Sequence, residues 1–251
     1  LLNLYERAIA IYQHHAQDSH VVQNSIPILY FGDLAAYRAS DLKVVTVGLN
    51  PSNREFNEDR FEMNTARTLA PEPLEFSLSS YFKRNPYNWF HCYETLLQYL
   101  ETSYYGLHYP GRVPRWWQPQ KNVALHTDVC TPLATDPTWK DLDSHQRGDL
   151  IRDGFPLWLD LIAELQPDLI LISVAIPHRE KLGDLRWSQF EPFPGCSPKT
   201  FKMMIAPFAK GAIVWGSANL VPLMNLRLEH RPLVANEILR QRHALMERES
   251  F

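Results

Sequence analysis

Four short apolar runs, each rich in Val, Ile or Leu, punctuate this chain, with helix-period stretches between them. They are Val44 to Leu49, Val123 to Val129, Asp168 to Val174 and Ala212 to Gly216. Near-continuous apolar runs of this length suit strands covered on both faces, the situation of a parallel sheet. Apolar residues at helical spacing mark residues 3–17 (Leu4, Ala8, Ile11, Tyr12) and 87–104 (Phe90, Leu96, Leu97, Leu100). The same spacing marks 149–165 (Ile151, Phe155, Trp158, Leu159, Ile162) and 232–248. Shorter helical turns are expected at 33–38 and 177–182, and Ile26 to Phe31 reads as a lead-in to the sheet. This alternation predicts an α/β fold: a single three-layer domain whose central, mostly parallel four-stranded sheet carries helices on both faces. Right-handed crossovers then bring the four strand ends to one edge. No repeat, low-complexity tract or linker divides the chain, so 1–251 reads as one domain with 1–40 as an N-terminal helical lead-in. The 45% hydrophobic content supplies ample core for that size.

Open α/β sheets keep their chemistry at the carboxyl ends of strands. The first run stops at Gly48-Leu49-Asn50-Pro51-Ser52, and the second ends at Asp128, followed by Val129-Cys130-Thr131-Pro132-Leu133. The third ends near Ser173-Val174 and the fourth at Gly216-Ser217-Ala218-Asn219-Leu220. One edge thus gathers an amide, a carboxylate, a hydroxyl and a second amide. Each also has a plain architectural reading. Asn50-Pro51 opens a turn, and Asp128, Ser217 and Asn219 are all competent helix caps.

On these three segments the chain resembles the uracil-DNA glycosylase superfamily. Gly48-Leu49-Asn50-Pro51-Ser52 is similar to the Gly-x-Asn-Pro-Gly motif of the mismatch-specific and single-strand-selective branches, with Ser52 in place of the final Gly. There the Asn positions the hydrolytic water, so the resemblance assigns that role to Asn50, with Gly48, Leu49 and Pro51 around the base. Asp128-Val129-Cys130-Thr131-Pro132-Leu133 is similar to the segment where the family places its pyrimidine-reading Asn. Gly216-Ser217-Ala218-Asn219-Leu220 falls where the family has a loop that enters the DNA minor groove, but no His stands there. The resemblance implies a uracil-DNA glycosylase-like fold, a flipped nucleotide, DNA as partner and no cofactor. Ser217, Ala218 and Asn219 would steady the extruded nucleotide.

Asp128 departs from that pattern. An Asn amide reads uracil by accepting from N3–H and donating to O4, and an ionised Asp cannot donate. Cytosine presents a donor at N4, from which carboxylates accept. A protonated Asp128 would match cytosine further, donating to N3 and accepting from N4. The expected target is therefore a modified cytosine-type base, with ordinary uracil or mismatch excision, or DNA binding without catalysis, as alternatives. A neutral Asn carbonyl orients water but is a feeble base, so catalysis would rest on positioning and an already labile leaving group. His126, two residues before Asp128, shares its side of the strand and either tunes it or sits in the core.

Phe56 and Phe61, in the polar segment after Asn50, are the candidates to stack on the base, with core burial as the other reading. Two stretches interleave cations and aromatics: Tyr81-Phe82-Lys83-Arg84, and Tyr109 to Trp117 with Arg112 and Arg115. Lys83, Arg84, Arg112 and Arg115 are candidates to neutralise phosphates, or they are solvated loop charges. The net charge of −3 does not announce a non-specific DNA coat. Three cysteines, Cys92, Cys130 and Cys196, fit neither a zinc motif nor a disulfide framework. His14-His15, His126 and His145 match no zinc spacing either, so no metal is expected. No run is long enough to span a membrane, and the first residues read as an amphipathic helix rather than a signal peptide, although the chain does not begin with Met. Reduced thiols then suggest a cytoplasmic protein, and a monomer is expected.

Overall fold

The computed structural model describes residues 1–56, 60–61, 69–84, 86–192, 202–217, 223 and 228–249. In chain order its helices are α1 (Leu2–His15), α2 (Leu34–Arg38), α3 (Pro71–Ser79), α4 (His91–Leu97), α5 (Ser144–Leu165), α6 (Ile176–Glu180) and α7 (Arg231–Glu249). Its strands are β1 (Val44–Gly48), β2 (Thr102–Ser103), β3 (Asn122–Val123), β4 (Leu125–Asp128), β5 (Leu169–Val174), β6 (Ser188–Gln189), β7 (Met203–Phe208) and β8 (Gly211–Ser217). The architecture is mixed α/β with a mostly parallel main sheet, as the alternation of runs implied. The expected count of four strands is corrected to six. The two extra strands, β6 and β7, lie at one end of the strand order and run antiparallel to their neighbours. Neither carries a β-branched run, so neither stood out in the sequence.

The chain forms two compact units, each drawn from three stretches. The first comprises Leu1–Ala35, Gly48–Tyr87 and Leu125–Leu165. Within it, α1 packs against α5 and α3 through buried Leu4, Tyr5, Ala8, Ile9 and Tyr12. α5 answers with the stripe Leu150, Leu157, Trp158, Leu161 and Ile162, all buried at helical spacing. The Trp158 Nε1–H donates to Thr127 Oγ1 at 3.0 Å, tying that helix to β4. Phe31 and His126 exchange both backbone hydrogen bonds, at 2.8 and 3.0 Å, so the Ile26–Phe31 lead-in ends against β4.

The second unit comprises Ala36–Val47, Asn88–Ala124 and Gln166–Phe251. It holds five of the six sheet strands in the order β1-β5-β8-β7-β6; the sixth, β4, belongs to the first unit. β5 runs parallel to β1 (Val44 opposite Leu169) and to β8 (Leu169 opposite Ala212). These central strands are almost wholly buried, which explains their unbroken apolar sequences. α7 packs on β7 and β8, burying Val234, Ala235 and Ile238. The expected helix over 87–104 is interrupted. Three-residue 3-10 turns at Asn88–Phe90 and Gln98–Leu100 flank α4, and Glu101 ends the run in the left-handed region at φ 54°.

Candidate active site

The end of β1 and the end of β4 meet within the first unit. The Val129 N–H donates to Gly48 O at 3.1 Å, and Cys130 N–H to Leu49 O at 2.9 Å. The Gly48–Asn50 and Asp128–Cys130 segments therefore lie side by side. A Cβ on Gly48 would stand 2.5 Å from Asp128 Oδ1 and 3.1 Å from His126 Nε2. A larger residue there would displace the Asp128 carboxylate from this position. His126 Nε2 lies 3.7 Å from Asp128 Oδ1, so the two do share one side of the strand. Asp128 is 8% exposed, and among the described residues no hydrogen bond reaches its carboxylate. It caps no helix and pairs with no arginine there, which removes the plain architectural readings of this residue.

Asn50 presents the complementary picture. Its Nδ2 donates to Pro51 O at 2.7 Å and to Thr135 Oγ1 at 2.9 Å. A backbone carbonyl can only accept, so the amide nitrogen must face Pro51 O, and the flip of the side chain is set. The Oδ1 atom is left without a partner among the described residues. Thr135 is fully buried and held in place by a parallel bridge to Ser52. Asn50 and Thr135 line a pocket of about 300 Å³, to which Ser52 and Thr138 add hydroxyls, Trp139 an indole and Lys140 an ammonium. That volume sits at the small end of ligand sites. Asp128 is not part of this lining.

Behind Gly48 and Asp128 lies a buried polar and aromatic cluster. Glu55, in the 3-10 turn Asn53–Phe56, is 5% exposed and accepts a hydrogen bond from the Tyr81 hydroxyl. Burial pushes its carboxyl up to about 7, and nearby Asp128 adds to that. The Tyr81 hydroxyl and the Arg60 guanidinium pull the other way. Tyr81 itself is raised well above the ordinary phenol range, chiefly by burial. Its ring meets Phe31 edge-on at 4.8 Å and Phe61 at 5.0 Å, while Phe31 lies 5.6 Å from the His126 ring. Phe61 is therefore a core ring, 2% exposed, with Phe56 stacked on it at 5.5 Å and 24°. Of the two expected stacking residues, the structure leaves Phe56 the more open.

The remaining predicted residues divide. Lys83 Nζ is paired with Asp33 at 2.6 Å, which compensates its charge. Arg84 Nη1 reaches Phe61 O at 3.5 Å. Arg112 and Arg115 are exposed in the second unit. Ser217 is the last residue of β8, and Ala218 and Asn219 lie outside the described residues, as does Cys196. Cys92 and Cys130 are free thiols. One metal-competent group does arise, contrary to the spacing argument. His14, His15 and Asp153 place ligand atoms within 4.8 Å of one another. The His15 ring is already spanned, however, by Asp18 at 2.7 Å and Asp153 at 2.9 Å. Among the described residues no helix is long and apolar enough to cross a membrane.

Glu55, Thr135 and Lys140 escaped the sequence reading, and Tyr81 entered it only as part of the Tyr81-Phe82-Lys83-Arg84 stretch. Glu55 carried one weak signal: it stands five residues beyond Asn50, in the polar segment that supplied Phe56 and Phe61. No model of a known protein family matches this chain, and no curated protein matches it either.

Proposed function

We propose that this chain is a monofunctional DNA glycosylase with a uracil-DNA glycosylase-like, three-layer fold. It hydrolyses the N-glycosidic bond of a flipped, modified cytosine-type pyrimidine. The observation that carries the reading is the amide of Asn50: its nitrogen is spent on Pro51 O and Thr135 Oγ1, and its oxygen is left open in a pocket wall. Such an oxygen accepts one hydrogen bond from a water and points that water's lone pair at the anomeric carbon. The water oxygen bonds to C1′ as the C1′–N1 bond breaks, the base leaves with the bonding electron pair, and the proton the water releases passes through solvent to the departing base. Charge builds on the departing base, so fixed dipoles around it lower the barrier.

Asp128 supports the choice of base. It is a nearly buried carboxylate without hydrogen-bond donors among the described residues, so a ligand that supplies a donor is favoured there. The exocyclic amino group of a cytosine does so, whereas O4 of uracil faces it with a second acceptor. An amide oxygen orients water without removing its proton, which predicts slow turnover, or a substituent that activates the leaving base.

Base release measured by mass spectrometry decides the matter, using DNA that contains cytosine, uracil and bulky 5-modified cytosines. Release of a modified cytosine, lost on Asn50→Ala in a variant that keeps its thermal transition, is the expected result. Uracil as the best substrate, or full release by Asn50→Ala, would overturn the assignment.

A further inference from the structure

In the second unit, residues 103–118 form a loop shaped by one buried acid. Glu94 on α4 is fully buried and accepts from Ser103 Oγ (2.6 Å), Tyr104 N–H (2.9 Å), Gln98 Nε2 (2.9 Å) and Trp117 Nε1 (3.1 Å). Around it the rings pack inward. Tyr105 and Tyr109 lie 4.6 Å apart, Tyr109 and Trp117 5.4 Å, and the Tyr109 hydroxyl meets His91 Nε2 at 2.9 Å. The outer side is unlike this. Leu107, Val113 and Trp116 are 57%, 54% and 42% exposed. Arg112 and Arg115 stand beside them in sequence, exposed and without a carboxylate partner among the described residues. An apolar loop free to move would fold such side chains inward. This one is pinned from beneath, so its indole and two cations stay outward.

We propose that the 107–116 loop is a binding platform for single-stranded DNA, with Trp116 stacking on an unpaired base and Arg112 and Arg115 neutralising phosphates. A flat indole needs a flat face, and unpaired bases offer one, whereas bases in a duplex have already stacked on each other. Two unpaired guanidiniums complement a polyanion and have no such match on a basic or neutral apolar partner. That the strand is DNA rests on the glycosylase reading; the stacking and phosphate chemistry does not.

Fluorescence anisotropy of the full chain with a labelled oligo(dT) tests this without any excisable cytosine. Trp116→Ala should weaken binding roughly tenfold or more, since one base stack accounts for about five- to a hundredfold. Trp116→Phe should recover most of it. The double change Arg112→Ala and Arg115→Ala should lower the salt slope by about 1.4, at roughly 0.7 for each lost single-strand phosphate contact. An oligo(dT)·oligo(dA) duplex and oligo(U) should both bind less tightly. Unchanged binding by Trp116→Ala, preference for the duplex, or preference for oligo(U) would overturn the proposal. Oligo(dT) binding that persists while no DNA loses a base sinks the glycosylase reading alone. Base release with Trp116 irrelevant to binding sinks the platform alone.

Discussion

Thr135 does little as a wall residue and much as a tether, because its hydroxyl is one of the two anchors that the described residues give the Asn50 amide. Thr135→Val keeps the volume and removes the anchor. Steady-state base release should show kcat down about tenfold or more with KM nearly constant, as misplaced reacting groups cost large factors for small displacements. Thr135→Ser should restore most of the rate, which a packing defect would not. Asn50 and Asp128 were legible because a strand-end polar residue interrupts an apolar run. Thr135 was not, since 85 residues separate it from Asn50 and only the folded chain joins them. Glu55 reads in sequence as a surface charge in a polar loop; its burial under Tyr81 is a tertiary fact.

Among the elements, α5 shows how close approach overrides local propensity. A Cβ at Gly154 would fall 2.4 Å from Cys130 O and 2.5 Å from Thr131 Cα, both backbone atoms of the segment that follows β4. Alanine improves helix propensity by about 1 kcal/mol, but overpacking against backbone costs typically about 1–3 kcal/mol or more. Gly154→Ala should therefore lower the urea midpoint rather than raise it; a rise would show that the segment yields freely. The same contest between local and tertiary signals explains which elements were readable. β1 and β5 are buried on both faces and announce themselves as apolar runs. β7 reads Met-Met-Ile-Ala-Pro-Phe, and its proline argues against a strand. Pro207 is tolerated because β6 pairs only as far as Met204 and Ile205, so the side that lacks an N–H faces no neighbour strand. The helical period over 87–104 was real, yet Glu101 breaks it by adopting a left-handed turn before β2.

For the whole molecule, two buried carboxyls set the pH response. Burial raises Glu55 and Glu94 to about 7 from an ordinary 4.5. Between those values the folded chain binds more protons than the unfolded one, so stability falls as pH rises through that window. The contribution is complete below about 4.5 and gone above about 7. Calorimetry should find a Tm more than about 3 °C lower at pH 8 than at pH 5.5. Glu94→Gln should flatten part of that fall. A Tm that climbs from pH 5.5 to 8 would show that both acids are ionised throughout. Composition and net charge revealed nothing of this, because they count acids without saying which are buried.

Glu94 also bears on portability. The acid that gives residues 103–118 their form sits upstream of them, on α4, and accepts from three residues of that loop and from one at its own helix end. A transplant of the loop alone into a foreign scaffold would carry the rings and leave the fastening behind. Moving residues 91–118 as one cassette keeps the two together.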